Sequence, residues 1–428
     1  MKKLNIAIIG LGNIGSYLYK YLKKNKKILS KKNNCVPNII YVSARTKSKK
    51  RSIKFSNKLW LNNYLDSTKN KNVDLIVELI GGAEGPAKKL VFNALKNKKH
   101  VVTANKALIA KYGDELSKIA EKNNVNLEFE ASVCGGVPIV RLLKEGLIAN
   151  KINKIYGILN GTSNYILSSM DKYNKNFIEV LNDAKNLGYA ESNPSADLNG
   201  DDVSAKLKIL SSLCFNSFLN KNIHVEGIKN IDREDIENAN KLGYKIKLLG
   251  FAELINNNIY QRVHPTLIKK SSYVAGIDGV LNAIIINGIP AGQSIIQGEG
   301  AGPAATTSAL VSDISSILRG NIKFPFSISN KERKKLKSKE ISEQSFSAYL
   351  RFEVVDRPGV LSHITKIFSK NNVSIKRLIQ NPKKSKGSSS IVVITHESKD
   401  KSLDRIIKIV NKNNYVIQKS KLIRIDSN

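Results

Sequence analysis

Three glycines near the start of the chain constrain its fold more than any other feature. Residues 4–10, "LNIAIIG", form an apolar run of strand length, "GLGNIG" follows over residues 10–15, and "SYLYKYLKK" continues with helical spacing. A strand that turns on glycine into a helix leaves few architectures open. Gly10 suits the tight turn, Gly12 the close approach of backbone to a pyrophosphate, and Gly15 the packing of helix on strand; with Asn13 and Ile14 between them, the turn reads as a dinucleotide cradle. Such a match alone is weak, and the alternation downstream of it adds weight. "NIIYVSA", "VDLIVELIGG", "HVVTANKALIA" and "VNLEFEASV" read as strands, with "PAKKLVFNALKNKK" and "KYGDELSKIAEKNN" as helices among them. This order predicts an α/β fold, a doubly wound parallel sheet over residues 1–137.

The second strand bears on the cofactor. A turn that prefers NAD carries an acidic residue about 20 positions beyond the glycines, for the ribose 2′-hydroxyl. Here the first acidic residue is Asp66, and the second strand runs into "ARTKSKKR". Arg45, with Thr46 and Lys47, suits a 2′-phosphate, so NADP is the expectation and NAD the alternative. The alternative stays open because any loop of this chain looks basic. Its net charge is +35, from 70 Lys and Arg against 35 Asp and Glu, and the excess is almost all lysine spread along the whole length. "KKNKKILSKKNN" and "KERKKLKSKE" contain no aromatics on which bases would stack, so no nucleic-acid partner is expected. No apolar run reaches the roughly 18–20 residues of a membrane span, and the chain enters a strand pattern at once without a signal peptide. The expectation is a cytoplasmic protein with no membrane partner. Cys35, Cys134 and Cys214 are too far apart for a zinc site and do not suggest a disulfide framework.

From residue 138 a second α/β region contains "KIYGILNGTSNYIL", an acidic stretch and strand-like segments around 259–288. "GQSIIQGEGAGPAATTSALVSDISSILRG", residues 292–320, is a glycine turn feeding a helix, which either returns the chain to the cofactor or is a plain helix entry. Residues 321–345, charged and aperiodic, read as a linker. Residues 346–428 follow the order βαββαβ, and Asp356, Pro358 and Gly359 lie in the first strand-to-helix turn, where backbone amides suit a small carboxylate. With no nucleophile and base pair in it, this segment reads as a binding or regulatory module.

The acidic stretch is "GYAESNPSADLNGDDVSAKL", residues 188–207, with Glu191, Asp197, Asp201 and Asp202 ahead of a single lysine. Wound at about 100° per residue, the helix that closes it places Val203, Leu207, Leu210 and Cys214 on one apolar face. Lys206 and Asp202 fall inside that stripe, while Lys208, Ser204, Ser211 and Ser212 fall opposite. An exposed i,i+4 pair at a capped helix entry is the plain reading. A pair within the apolar stripe has a stronger one, because burial and an adjacent carboxylate pull the lysine in opposite directions and leave it able to trade protons near neutrality. Glu191 and Asp197 add negative charge suited to a substrate ammonium group.

The same stretch resembles the signature of the homoserine dehydrogenase family. "GLGNIG", "VELIGG", "TANK", "EASVCGGVP", "NGTSNYIL" and "GEGAGPAATTSALVSD" resemble that family in its order, and the C-terminal segment resembles an ACT domain. The resemblance implies a Rossmann domain over 1–137, a substrate and dimerisation domain over 138–320, and a ferredoxin-like ACT domain over 346–428. It implies the monofunctional form of an enzyme that reduces L-aspartate 4-semialdehyde to L-homoserine with NADP or NAD, on the route to threonine and methionine. Lys206 matches the proton donor to the developing alkoxide and Asp202 its orienting carboxylate; Lys106 of "TANK" matches a lysine between nicotinamide and substrate. The two lysines can exchange roles on sequence alone. Glu191 matches the residue that holds the substrate amino group, with Tyr189, Thr162 and Asp197 at pocket positions. Gly302 matches a cofactor contact, although "GEGAGPAATT" departs from the commoner "GAGAGxxPT". The resemblance also implies a monovalent cation, sodium or potassium, held by Glu130 and the carbonyls of Val133, Gly135 and Val137, with Cys134 where a small residue is usual. Implied partners are a small-molecule substrate, threonine as the candidate effector, and further copies of the chain in a dimer or tetramer. Competing readings are another Rossmann oxidoreductase acting on an amino-acid aldehyde or hydroxy acid, and an ACT sensor without turnover.

Overall fold

The computed structural model describes residues 1–219, 222–382 and 387–426. The strands Lys2–Ile9 (β1), Cys35–Ser43 (β2), Leu75–Glu78 (β3), His100–Thr103 (β4) and Leu127–Glu128 (β5) form one parallel sheet in the order β2-β1-β3-β4-β5. Ile6, Ile8, Val77 and Val102 are fully buried, as strands covered by helices on both faces require. The chain leaves β1 toward β2 and later returns to the other side as β3. That reversal opens a crevice at the carboxyl ends of β1 and β3, where Gly10 sits.

Two boundaries differ from the sequence reading. "HVVTANKALIA" is strand only as far as Thr103, and a helix begins at Lys106 because the Asn105 side chain accepts the Leu108 N–H as an N-cap. "VNLEFEASV" is strand only at Leu127–Glu128. Glu130 leaves the ladder: its N–H donates to the Asp313 carboxylate, and residues Glu130–Ser132 make a 3₁₀ turn.

A second, mixed sheet runs antiparallel through Gly292–Glu299, Leu281–Ile289, Lys151–Ile158, Tyr244–Ile255 and Asn258–Lys269. It continues into the C-terminal module, since Val416–Ile425 pairs in parallel with Asn258–Lys269 where Arg424 faces Thr266 and Ile425 faces Leu267. The module has the expected βαββαβ order, with helices Val360–Lys370 and Asp400–Val410. The expected span 346–428 lies within the described residues except for 383–386 and 427–428. Its sheet is clamped to the helix Arg233–Lys241 by the buried Arg351, which pairs with Asp235 at 2.8 Å, Glu234 at 2.7 Å and Glu353 at 2.9 Å.

The 321–345 segment, expected as a free linker, is instead packed. Arg333 is buried against the rings of Phe218 and Phe326 and pairs with Asp114 at 2.6 Å, while Lys337–Lys339 adds a parallel strand beside Asn258–Tyr260. Its charges gave it the look of a solvated stretch, yet the arginine at its centre finds its acid inside the fold. The helix Pro303–Leu318 packs against Asn13–Lys24, with Leu310, Ile314 and Ile317 in the same apolar cluster as Ile6, Ile8 and Leu18. No helix among the described residues is long and apolar enough to cross a membrane.

Candidate active site

The helix Asp201–Cys214 lies between Lys106–Lys122 on one side and the mixed sheet on the other. Burial is therefore not confined to one stripe: Ser211 and Ser212 are each 1% exposed, and Lys208 is half-buried rather than solvated. The periodicity reading assumed a single covered face, and packing on two faces overrides it. Lys206, 8% exposed, is inside as expected.

Two lysines share one carboxylate. Lys206 Nζ lies 2.8 Å from Asp202 Oδ2, and Lys106 Nζ lies 2.8 Å from Asp202 Oδ1. Lys206 also donates to the carbonyl of Leu159 at 2.7 Å. Burial works to lower the Lys206 pKa, but the charge of Asp202 outweighs it and the net direction is upward from 10.5. The balance near neutrality expected from the sequence is not what the geometry gives; Lys206 is held as an ammonium. For Asp202, burial pushes upward and Lys206 and Lys106 together outweigh it, so this carboxyl is held well below its ordinary range.

Asn160 completes the cluster from the opposite side. Its Nδ2 donates to Asp197 Oδ1 at 2.7 Å and to Asp202 Oδ2 at 2.9 Å, while its Oδ1 accepts the Ser163 N–H and caps the helix Gly161–Tyr173. Burial raises the Asp197 carboxyl, opposed by Asn160. Lys106 is aimed by a second network. Buried Glu78 at the end of β3 accepts from Ile80 N at 2.7 Å, Gly81 N at 3.0 Å and Thr103 Oγ1 at 2.6 Å, and Asn105 Nδ2 donates to Gly82 O at 2.7 Å. Those bonds fasten "VELIGG" to "TAN" and hold the helix start that carries Lys106. Of the expected pocket residues, Thr162 Oγ1 donates to Tyr189 O at 2.7 Å, and Tyr189 and Glu191 are exposed on the segment that borders the cluster.

The glycine turn is built as its spacing requires. Gly10 has φ +111°, and a Cβ there would lie 2.4 Å from Leu79 O; a Cβ on Gly15 would lie 2.0 Å from Gly10 O. At Gly12 a Cβ would meet nothing within 4 Å, which leaves that backbone open to a ligand. Gly302, φ +105°, starts the helix Pro303–Leu318. Arg45 is exposed beyond β2. The sequence reading missed Arg51, which ties this loop to the turn: Nε donates to Leu11 O at 3.1 Å and Nη2 to Thr46 O at 2.6 Å, with the guanidinium 5.7 Å from the Trp60 ring centre. Its only sequence signal was an arginine at the end of a run of lysines.

Known proteins match this arrangement along the whole chain. Residues 10–130 match the model of the homoserine dehydrogenase NAD-binding domain, residues 138–315 that of homoserine dehydrogenase, and residues 348–414 that of the ACT domain. The homoserine dehydrogenase of Neisseria gonorrhoeae is 38% identical over 100% of this chain and 99% of its own, and that of Bacillus subtilis 34% over the same shares. The chain belongs to the homoserine dehydrogenase family. A crystal structure of a homoserine dehydrogenase from Thiobacillus denitrificans superposes with a TM-score of 0.93 at 36% identity, covering 100% of this chain and 99% of the other. A hyperthermophilic archaeal homoserine dehydrogenase solved with NADPH superposes with a TM-score of 0.61 at 25% identity over 73% of this chain and 97% of its own.

As a homoserine dehydrogenase, the chain is an oxidoreductase with a nicotinamide-binding domain and a C-terminal ACT domain, and the sensor without turnover is not favoured. The cation residues named by the resemblance fit unevenly. Both Glu130 carboxylate oxygens already accept amides, from Val140 at 2.9 Å and Arg141 at 2.6 Å, and Val137 O accepts Ile139 N at 2.7 Å. Burial, opposed by those amides, raises Glu130 to about 7. The buried carbonyls of Val133 and Gly135, by contrast, receive no N–H among the described residues, as carbonyls facing a cation would. Among the described residues there is no cluster of three or more His, Cys, Asp or Glu for a metal ion. Burial raises the Cys134 thiol, so it is not a ready nucleophile.

Proposed function

We propose that this enzyme uses NADPH to reduce L-aspartate 4-semialdehyde to L-homoserine, with Lys206 as proton donor to the new alkoxide. The observation that carries the reading is the pair of ammonium groups on the single carboxylate of Asp202. When bound, the reduced nicotinamide supplies the hydride. Lys206 releases a proton to the developing oxyanion, and Asp202 remains ionised and orients it. Lys106, 42% exposed at its side chain, adds positive charge beside the oxyanion and connects the buried pair to solvent for reprotonation. Glu191 meets the substrate ammonium group from the rim, with Tyr189, Thr162 and Asp197 completing the pocket.

The preference for NADP rests on Arg45 in a loop that Arg51 fastens to the glycine turn, with Gly10, Gly12, Asn13, Ile14 and Gly15 beneath the pyrophosphate and Gly302 and Lys106 toward the nicotinamide. The unpaired carbonyls of Val133 and Gly135 support a sodium or potassium ion in the 133–137 turn, with Glu130 before the turn tied to Val140 and Arg141 after it through their amides. A cavity of about 470 Å³ beside Asp356, Arg357, Pro358, Gly359 and Gln380 in the ACT domain suits a small amino-acid effector, for which threonine is the reading. We place the catalytic domains at 1–137 and 138–320 and the ACT domain at 346–428, in a cytoplasmic dimer or tetramer.

Oxidation of L-homoserine at alkaline pH, followed at 340 nm with NADP and then NAD, with and without L-threonine, tests these assignments. Turnover with NADP well above that with NAD is expected, together with suppression by threonine. Equal use of both cofactors removes the role given to Arg45, and indifference to threonine removes the effector.

A further inference from the structure

Asn282, on the strand Leu281–Ile289, is 1% exposed; its amide nitrogen faces the sulfur of Cys134, and its amide oxygen has no hydrogen-bond partner among the described residues. The large majority of buried side-chain polar atoms are hydrogen-bonded, so a buried amide oxygen with no donor marks a place for a group that the protein alone does not supply.

Its surroundings say which group. A Cβ on Gly300 would lie 2.2 Å from Asn282 Nδ2, 2.3 Å from Cγ and 2.5 Å from Oδ1, so the amide lies flat in the space that glycine leaves. The φ of Gly300 is not positive, and this glycine serves for room rather than conformation. The Gly300 carbonyl in turn faces Gly135, where a Cβ would stand 2.9 Å from it. The thiol of Cys134, a weak acceptor, takes the amide NH₂ and leaves the amide oxygen free. Asn282 is thus wedged between the turn that holds Cys134 and Gly135 and the turn that begins at Gly300. The unpaired buried carbonyls of Val133 and Gly135 belong to the first of these. Neutral oxygen dipoles gathered in one dry place are the donor set that a monovalent cation takes.

We propose that Asn282 is an additional oxygen donor of the monovalent-cation site, joining the backbone carbonyls of Val133 and Gly135 from the facing strand. The inference rests on the reading that sodium or potassium occupies the 133–137 turn.

The test is the thermal midpoint of the full-length protein titrated with NaCl or KCl against choline chloride at equal ionic strength. Wild type should show a saturable rise specific to the alkali ion. Asn282→Leu should weaken the apparent ion affinity at least tenfold, and Asn282→Asp, which adds charge at the same atom, should tighten it about threefold or more. A saturable rise in wild type with unchanged ion affinity in both variants overturns the role of Asn282 and leaves the cation reading standing. No ion-specific rise in wild type overturns both. Should Asn282→Leu fail to fold, the Asn282→Asp titration decides alone, and an affinity equal to wild type overturns the proposal.

Discussion

Replacing Asp202 by asparagine keeps the shape of the side chain and removes the one charge that lies between two ammonium groups. The pair it breaks is deep: the side chains of Lys206 and Asp202 are 10% and 4% exposed. At an effective dielectric constant of about 20, opposite charges about 3–4 Å apart attract by about 4–6 kcal/mol. Removing one partner of a buried pair costs about 3–5 kcal/mol net. Burial, which the charge of Asp202 outweighs in wild type, then meets far less opposition, so the Lys206 pKa should fall. Asp197 remains nearby and opposes part of that fall. The assay is kcat against pH in homoserine oxidation, where the lysine must be neutral to accept a proton. Wild type should gain rate through the alkaline range, because Lys206 is raised above 10.5. The variant should level off at a lower pH than wild type, and in reduction, which needs the ammonium, it should lose rate above that same pH. A folded variant, checked by circular dichroism, whose inflection has not moved would refute Lys206 as the titrating group. Stability has its own sign. The depressed Asp202 stabilises the fold above its unfolded pKa and loses that effect as pH falls through the folded one; the raised Lys206 stabilises below its unfolded pKa and loses that effect as pH rises through the folded one. The variant should therefore be weakest, relative to wild type, between about pH 4 and 10.

Three further outcomes can be checked. Gly300→Ala places a methyl against the Asn282 amide, where 2.2–2.5 Å is available, and should destabilise by about 1–3 kcal/mol; adding Asn282→Ala should recover much of that loss, and strict additivity in denaturant melts would contradict the contact. Arg351→Met leaves Asp235, with no exposed side-chain surface, and Glu353 without their guanidinium and should cost about 3–5 kcal/mol; an unchanged urea midpoint would mean that the clamp contributes nothing. Arg51→Ala should raise KM for NADPH about tenfold at unchanged kcat and raise it less for NADH. Equal increases would assign Arg51 to the turn alone.

What could be read in the sequence was local. The apolar run and the glycines of the first turn are neighbours, so their geometry follows from their spacing; Asp202 and Lys206 are one helical turn apart, and the helical period places both inside. Lys106 meets Asp202 across 96 positions, and no period joins them. Only the family resemblance put them in one site. Asn160 was in plain view as the cap of a helix, yet its two bonds to Asp197 and Asp202 depend on a loop about 40 residues later folding back. The start of the Lys106 helix was lost because "KALIA" is apolar enough to pass for strand. Ser211 and Ser212 were placed in solvent because one helix face was assumed to be wet, and Arg333 was lost among lysines that do face water. Each miss is tertiary contact prevailing over local pattern.

The same non-local contacts join the ACT domain to the two lysines on Asp202. Arg351 on the ACT sheet holds Asp235 on the helix Arg233–Lys241; further along that helix Asn240 donates to Asp171, on the helix Gly161–Tyr173. The first residue before this second helix is Asn160, whose amide grips the carboxylate that both lysines share. A displacement of the ACT sheet therefore has a continuous route of contacts to Asp202. Continuity of packing is a condition for coupling and does not measure it. The Arg351→Met variant separates the two: if its ACT domain stays docked and an effector acts on it as on wild type, the energy travels through other contacts, such as Lys421 on Asp235 at 3.0 Å or the strand pairs of the ACT sheet with Thr266 and Leu267.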